Sequence, residues 1–200
     1  MKALWTQIAN RFIDYNERLI FEGLNEPRKK GTEWEWNGGD AEGQAVVNHF
    51  MKVFVETVRA TGGNNELRHL MICGYAASSS ETAMRAIEIP DDDKIIVSVH
   101  AYTPYDFALN ITGTSEWKYT FEIEQLMTKI NMIFVNKGIP VIIGEFGALN
   151  KNNEKDRANW AKIYLMQSTY NNIPCCWWDN SSFNGSGENF GLIDRKKLTW

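Results

Sequence analysis

Residues 140–147 read Pro-Val-Ile-Ile-Gly-Glu-Phe-Gly, a short apolar run that leads directly into a carboxylate. An apolar run of this length, bounded by Pro and Gly, is typical of a strand buried in a sheet. Glu145 follows the run, and a carboxylate in such a place is costly to bury unless it has partners or a function. The stretch therefore predicts a buried strand at residues 140–144 that delivers a carboxylate at its carboxyl end.

Similar strand patterns lie along the rest of the chain, and helical patterns separate them. Strands are predicted at residues 19–22, 67–73, 94–99, 140–144 and 173–178. Helices are predicted at residues 2–16, 41–61, 78–87, 116–136 and 153–170, and apolar side chains recur at helical spacing in the first two. This alternation predicts an α/β fold with parallel pairing and right-handed connections. With no repeat or linker in the sequence, we expect a single domain over residues 1–200.

A doubly wound sheet and a (β/α)8 barrel both fit this alternation, and periodicity does not separate them. The placement of polar residues favours the barrel. They follow four of the five predicted strands, as Asn25 and Glu26, His100 and Tyr102, Glu145, and Trp178 with Asp179. A shared site at the carboxyl ends of the strands is the habit of the barrel, although an open sheet also binds ligands there.

Glu26 and Glu145 are the candidate catalytic residues. Pro27 removes a backbone donor and biases Glu26 towards an extended conformation. Each carboxylate alone has a structural alternative, as a helix cap or an ion-pair partner. Their position at the same end of parallel strands favours a catalytic pair instead. Two carboxylates facing one cleft suit glycoside hydrolysis, and their separation selects retention at about 5 Å or inversion at about 6.5–9.5 Å.

Three further candidates follow strands. His100 and Tyr102 come directly after a strand, and alternation places them on one face. A lone histidine there is more often a packing residue, but a histidine with a tyrosine at a strand end favours a site. Trp177 and Trp178 follow the last strand and must point in opposite directions, and we expect Trp178 to line the cleft.

The composition of the chain limits the classes of molecule that it is expected to bind. The formal net charge of -4 and the lack of a dense basic cluster argue against nucleic acid. Eight residues are Trp, an excess that fits core packing or a carbohydrate cleft, since sugar rings stack on indoles. The tryptophans in predicted loops are candidate outer platforms for sugar: Trp34, Trp36 and Trp117.

The cysteines argue against a disulfide-rich or zinc-binding protein, and the first residues argue against a signal peptide. Three cysteines without regular spacing predict neither a disulfide framework nor a zinc site, and their apolar surroundings predict buried thiols. The first residues form an amphipathic helix pattern without a signal-peptide core, and no run has the length of a membrane span. We therefore expect neither a membrane partner nor a signal peptide in this chain.

Taken together, four segments resemble glycoside hydrolase family 5 cellulases, closest to the endoglucanases of clostridial and rumen type. They are Phe-Glu-Gly-Leu-Asn25-Glu26-Pro27, Val-His100-Ala-Tyr102, Val-Ile-Ile-Gly-Glu145-Phe-Gly and Trp177-Trp178-Asp179-Asn180. The tripeptide Asn-Glu-Pro alone is a modest signal. All four segments in this order, each after a strand, are a strong one.

The resemblance implies a (β/α)8 barrel and a retaining endo-β-1,4-glucanase that needs no metal or organic cofactor. Glu26 matches the acid/base residue and Glu145 the nucleophile. Asn25 matches the residue that binds the sugar 2-hydroxyl. His100 and Tyr102 match residues at the subsite of cleavage, and Trp178 matches the stacking platform. The family also implies an extracellular location and a β-glucan substrate, with xyloglucan, xylan or mannan left open.

The chain departs from the family pattern at its start. The Asn-Glu-Pro motif follows strand four in the family, so strands one to three would be absent and a closed barrel of roughly 250 residues could not form. We expect an incomplete barrel of strands four to eight that forms a homo-oligomer through its exposed edges. The alternatives are a catalytically impaired half-barrel that at most binds glucan, and a structural α/β domain without a site.

Overall fold

The apolar runs and amphipathic patterns form an alternating series of strands and helices in the computed structural model, which describes residues 1–119 and 121–199. The strands are Phe21–Glu22 (β1), Leu70–Ser78 (β2), Ile95–His100 (β3), Val141–Phe146 (β4) and Cys175–Trp177 (β5). The α-helices are Lys2–Arg11 (α1), Ala41–Arg59 (α2), Glu81–Arg85 (α3), Tyr105–Ala108 (α4), Glu122–Ile133 (α5) and Glu154–Tyr170 (α6). Short 3-10 helices cover Gly63–Glu66 and Val135–Lys137.

The strands form one sheet in the order β1-β2-β3-β4-β5, so each strand pairs with its neighbour in the chain. Phe21 is opposite Leu70 in the parallel β1–β2 pair, and Ile143 is opposite Cys175 in the parallel β4–β5 pair. Helical connections between parallel strands confirm the predicted α/β class.

The chain divides into two compact units. Unit 1 contains Met1–Val99 and Ile133–Val141, and unit 2 contains His100–Met132 and Ile142–Trp200. The expectation of a single domain stays a prediction.

The core of unit 1 holds the end of β1 in place. The Trp5 indole of α1 donates to the Gly23 carbonyl at 3.2 Å and lies 4.5 Å from the Phe54 ring. A Cβ on Gly23 would lie 2.8 Å from the Phe54 ring, so only glycine permits this close approach. The segment that leads to Asn25 and Glu26 therefore begins at Gly23, a residue closely packed in the core.

Arg68 is the fully buried cation of unit 1, and it ends the first helix earlier than predicted. Its guanidinium lies 4.5 Å from the centroid of the Phe21 ring. Its donors bind one side-chain oxygen and four backbone carbonyls, those of Asn65, Phe12, Tyr15, Asn16 and Leu19. Because these carbonyls turn towards one charge, the helix predicted for residues 2–16 stops at Arg11.

The core of unit 2 is aromatic. Trp160 and Tyr164 lie one turn apart on α6, and both are fully buried. The Tyr164 ring stacks on Phe146 of β4 with centroids 4.6 Å apart. Trp177 of β5 meets the same Phe146 edge-on at 5.3 Å. This cluster fixes β4 against α6 directly beside Glu145.

Several element boundaries differ from the predicted ones. The strand predicted at 67–73 extends to Ser78, and Ala76 and Ala77 within it have positive φ. The helix predicted at 116–136 begins at Glu122, and the chain turns at Gly138, whose φ is 78°. The helix α4 was not predicted, because four residues are too few to show a period.

The prediction of three buried thiols was wrong for two of them. Cys73 is buried, Cys175 is partly exposed and Cys176 is exposed, and all three are free thiols. Burial raises the pKa of Cys73 to about 12. Within the described residues, no helix is long and apolar enough to cross a membrane.

We predict that Arg68→Met lowers the free energy of unfolding by at least about 3 kcal/mol, since four backbone carbonyls and the Asn65 side chain lose the buried guanidinium that they share as donor. The measurement is urea unfolding followed by circular dichroism. Arg18→Met, at an exposed position, is the control and should change stability by less than about 0.5 kcal/mol. Equal stability of the two variants would contradict the role assigned to Arg68.

Candidate active site

The Glu145 carboxylate lies at the end of β4 with two side-chain partners on one oxygen. Tyr102 donates its hydroxyl to Glu145 Oε2 at 2.7 Å, and His100 Nδ1 lies 3.3 Å from the same oxygen. The His100 and Glu145 side chains are only 5% and 14% exposed. Three of the residues selected from the sequence therefore meet at one atom.

Backbone pairing sets this arrangement. The Ala101 amide donates to the Glu145 carbonyl at 2.9 Å, which aligns the end of β3 with the end of β4. Because side chains alternate along an extended chain, His100 and Tyr102 lie on the same face, on either side of Ala101. The register therefore brings both to Glu145.

Helix α6 supports the same segment from behind. Tyr164 donates its hydroxyl to the Ala101 carbonyl at 2.9 Å, and the Trp160 indole donates to the Thr103 carbonyl at 3.0 Å. Tyr102 therefore lies between two anchored carbonyls. Burial raises the pKa of Tyr164 well above its ordinary value, so its hydroxyl stays a donor.

Sequence reasoning did not select Trp160 and Tyr164. Their spacing of four residues indicates a buried helix face, but no sequence signal shows which carbonyls their polar atoms reach.

The two tryptophans at the end of β5 have different surroundings. The Trp177 indole packs against Trp160 and donates to the Phe190 carbonyl at 3.3 Å. Trp178 is 41% exposed. The Phe190 ring, which is fully buried, lies 5.3 Å from the Tyr102 ring. Phe190 was also not selected from the sequence, because it lies in the tail that follows the last predicted strand.

Glu26 lies in unit 1, four residues after β1, and its side chain is 18% exposed. Its φ is +41°, so the extended conformation predicted from Pro27 was wrong. Two hydrogen bonds hold the turned backbone: Arg28 Nη1 donates to the Glu26 carbonyl at 3.0 Å, and the Ala76 amide donates to the Pro27 carbonyl at 2.9 Å. A left-handed backbone at a residue other than glycine costs of order 1–3 kcal/mol and is concentrated at functional sites.

The loop of residues 28–40 carries Trp36, which is 59% exposed. The Arg28 guanidinium lies over its ring, 4.0 Å from the centroid, and Arg28 Nε donates to Glu35 Oε1 at 3.1 Å. The hydrogen bond from the Gly31 amide and the Arg28 charge both lower the pKa of Glu35. Trp34 of the same loop is 40% exposed, whereas Trp117 lies 5.4 Å from the buried Phe107 ring. Asn25 is exposed.

The comparisons with known proteins agree on one family. Residues 1–184 match the cellulase family, glycosyl hydrolase family 5.

The chain belongs to glycoside hydrolase family 5.

Its relatives carry endoglucanase names. Endoglucanase B of Neocallimastix patriciarum is 54% identical over 199 residues, which are 98% of this chain and 42% of the relative. Endoglucanase 1 of Ruminococcus albus is 53% identical over 204 residues, which are 100% of this chain and 50% of the relative. The chain thus spans about half the length of the curated relatives it matches.

Solved structures confirm the fold class. A GH5-4 broad specificity endoglucanase from Ruminococcus champanellensis, with bound cellotriose, has a TM-score of 0.95 and 52% identity. It covers 100% of this chain, and this chain covers 59% of it. XEG5A, a GH5 xyloglucan-specific endo-beta-1,4-glucanase from a metagenomic library, has a TM-score of 0.95 and 40% identity, with coverage of 100% and 60%. The five parallel strands are those of an incomplete (β/α)8 barrel, as predicted.

We predict that Tyr164→Phe lowers the free energy of unfolding by about 1–3 kcal/mol, because the buried Ala101 carbonyl loses its donor from α6. Urea unfolding measures the change. Tyr170→Phe is the matched control on the same helix, since Tyr170 is 85% exposed, and should leave stability within about 0.5 kcal/mol. Equal loss in both variants, or none in either, would contradict the support described for Ala101.

Proposed function

We propose that this protein hydrolyses internal β-1,4-glucosidic bonds of β-glucan by a retaining double displacement. The observation that carries the proposal is the Glu145 carboxylate, held on one oxygen by Tyr102 and His100 at the end of β4. Membership of family 5 and the endoglucanase names of the relatives support it.

Glu145 is the proposed nucleophile. A carboxylate that attacks a sugar must be held in one orientation, because misplacement of the attacking oxygen costs rate steeply. The Tyr102 and His100 contacts supply that orientation. In the first step Glu145 bonds to the anomeric carbon and the bond to the leaving oxygen breaks.

Glu26 is the proposed acid/base. Its proton passes to the leaving oxygen in the first step. In the second step Glu26 takes a proton from water, the water oxygen bonds to the anomeric carbon, and Glu145 leaves as a carboxylate. The place of Glu26 after β1 supports the role, since catalytic groups of barrel enzymes follow parallel strands at their carboxyl ends. Its left-handed backbone supports it as well.

The remaining candidates bind the sugar. We assign Asn25 to the 2-hydroxyl of the sugar and Trp178 to the stacking platform beneath it. The exposure of both side chains is consistent with contact to a ligand. We commit to a β-1,4-glucan backbone as substrate, because one solved relative holds cellotriose and another is named for xyloglucan, whose main chain is the same polymer. The absence of a metal or organic cofactor and the extracellular location stay predictions.

We predict that Glu26→Gln and Glu145→Gln each lower kcat on carboxymethyl-cellulose and on xyloglucan by about 10²–10⁴-fold or more. Reducing-sugar release from carboxymethyl-cellulose and xyloglucan measures the loss. Glu17→Gln, an exposed carboxylate on the segment before β1, is the control and should keep the full rate.

An activated substrate and an added nucleophile separate the roles of Glu26 and Glu145. A 2,4-dinitrophenyl β-cellobioside needs no proton on its leaving group, so Glu26→Ala should still form the glycosyl-enzyme, and added azide should then accelerate turnover. Glu145→Ala should recover only through direct attack of azide, with inverted product. Full activity in either glutamine variant would overturn the assignment of that residue.

We also predict that this chain forms a homo-oligomer. The strands β1 and β5 end the described sheet, and an unpaired edge strand presents free backbone groups to another chain. We expect light scattering to give a multiple of the 23.0 kDa chain mass. A monodisperse monomer would contradict the prediction.

A further inference from the structure

Tyr102 reaches Glu145 through the full length of its ring. Its hydroxyl donates to Glu145 Oε2 at 2.7 Å, and helix α6 binds the backbone carbonyls on either side of it. Those two hydrogen bonds hold the backbone of Tyr102, but they leave the two torsions of its side chain to be fixed by packing. The position of the hydroxyl therefore depends on what lies against the ring.

The Phe190 ring supplies that packing. Phe190 is fully buried, and its ring centroid lies 5.3 Å from that of Tyr102 with the planes tilted by 46°. Aromatic pairs at this separation attract each other beyond the effect of burial alone. The same ring lies against Gly147, where a Cβ would come within 3.1 Å of it. Phe190 thus contacts both the Tyr102 ring and the chain two residues after Glu145.

The backbone of Phe190 is held at both of its polar groups. Its amide donates to Asn180 Oδ1 at 3.2 Å, and its carbonyl accepts from the Trp177 indole at 3.3 Å. Asn180 Nδ2 also donates to the Glu188 carbonyl at 2.8 Å, so one side chain closes the loop of residues 180–190. The Phe190 ring is therefore carried by a fixed backbone.

The loop of residues 180–190 is also bound to the chain that follows β4. The Asn189 carbonyl accepts from the Asn150 amide at 2.7 Å. The Asn189 side chain accepts from the Ser182 hydroxyl at 2.7 Å and donates to the Gly185 carbonyl at 3.1 Å. The loop that carries Phe190 and the segment that carries Glu145 are thus connected directly by hydrogen bonds.

We propose that Phe190 is a positioning residue for the proposed nucleophile, because its ring holds Tyr102 so that the tyrosine hydroxyl stays on Glu145 Oε2. The inference rests on the proposed function. Phe190 is fully buried, so it acts through Tyr102 and not by contact with the sugar. A misplacement of about 1 Å at a reacting group can cost about 10²-fold in rate. Loss of the Phe190 ring should therefore slow the attack by Glu145 and leave the binding of glucan unchanged.

The rate of attack by Glu145 tests this role. With 2,4-dinitrophenyl β-cellobioside, the burst of dinitrophenolate in stopped flow measures formation of the glycosyl-enzyme. Phe190→Leu should lower the maximal burst rate about three- to tenfold and keep the half-saturating concentration within about twofold. Phe134→Leu, at a buried phenylalanine before β4, is the matched control and should keep the burst rate within about twofold. An unchanged burst rate in Phe190→Leu, or equal losses in both variants, would overturn the role.

A double-mutant cycle shows whether Phe190 acts through Tyr102. Tyr102→Phe keeps the ring but removes the hydroxyl, and it should lower the burst rate about 10–10²-fold. In the Tyr102→Phe protein, Phe190→Leu should change the burst rate by less than about twofold, because no hydroxyl remains to be placed. Urea unfolding is measured beside the rates, since a loss of stability alone would lower the rate in both backgrounds. Equal rate losses in the two backgrounds would overturn the action through Tyr102.

Asn180 variants test the same support from an exposed position, where a substitution leaves the core intact. Asn180→Ala removes the acceptor of the Phe190 amide and should lower the burst rate about threefold or more. Asn184→Ala replaces another exposed asparagine of the loop and should keep the rate within about 1.5-fold. Equal rates of the two variants would contradict the support of Phe190 by the loop.

A crystal structure of the Phe190→Leu protein tests the positioning without turnover. The Tyr102 hydroxyl should lie beyond about 3.5 Å from Glu145 Oε2 or occupy more than one position. A single hydroxyl position still at 2.7 Å would overturn the positioning role. A displaced hydroxyl, together with no release of dinitrophenolate by the unsubstituted protein, would contradict the proposed function and support the role of Phe190.

Discussion

The Ala101 amide pairs with the Glu145 carbonyl, and the geometry around the proposed nucleophile depends on this single backbone hydrogen bond. It fixes the register of two chain segments. A shift of one residue would turn His100 and Tyr102 to the opposite face and replace them at Glu145 by Ala101. The Ala101 carbonyl is bound on its other side by Tyr164, so the peptide that sets the register is itself held by α6.

Glu26 is placed by a different kind of constraint. The Glu145 side chain extends from β4, where the hydrogen bond from the Ala101 amide fixes its peptide, although β4 and β5 pair irregularly between Ile143 and Phe146. Glu26 follows β1 in a left-handed conformation, which regular pairing does not produce. Arg28 and the Ala76 amide hold that segment by hydrogen bonds to two successive carbonyls. The cost of the unusual backbone is therefore offset locally, by residues next to it in the chain or on β2.

Much of the site could be predicted because strand ends are visible in a sequence. An apolar run followed by Glu145, or by His100 and Tyr102, shows both the strand and its polar end. The first helix was predicted too long, because its end depends on Arg68, whose four carbonyl partners lie more than 48 positions away in the chain. The conformation of Glu26 was predicted wrongly, since the bias from Pro27 is local and the Arg28 and Ala76 contacts override it. Exposure of Cys176 on β5 could not be inferred from its apolar neighbours.

The sequence alone determined the parallel α/β class, the succession of strands and helices along the chain and the residues that stand at the strand ends, because periodicity and polarity are local properties that the chain carries with it. It also carried the motifs by which the family is recognised. Only the tertiary structure decided which oxygen of Glu145 receives Tyr102 and His100, how Glu26 turns, and which face of Trp36 is covered by Arg28. These facts depend on side-chain directions and distances across paired segments, which packing sets and sequence spacing does not.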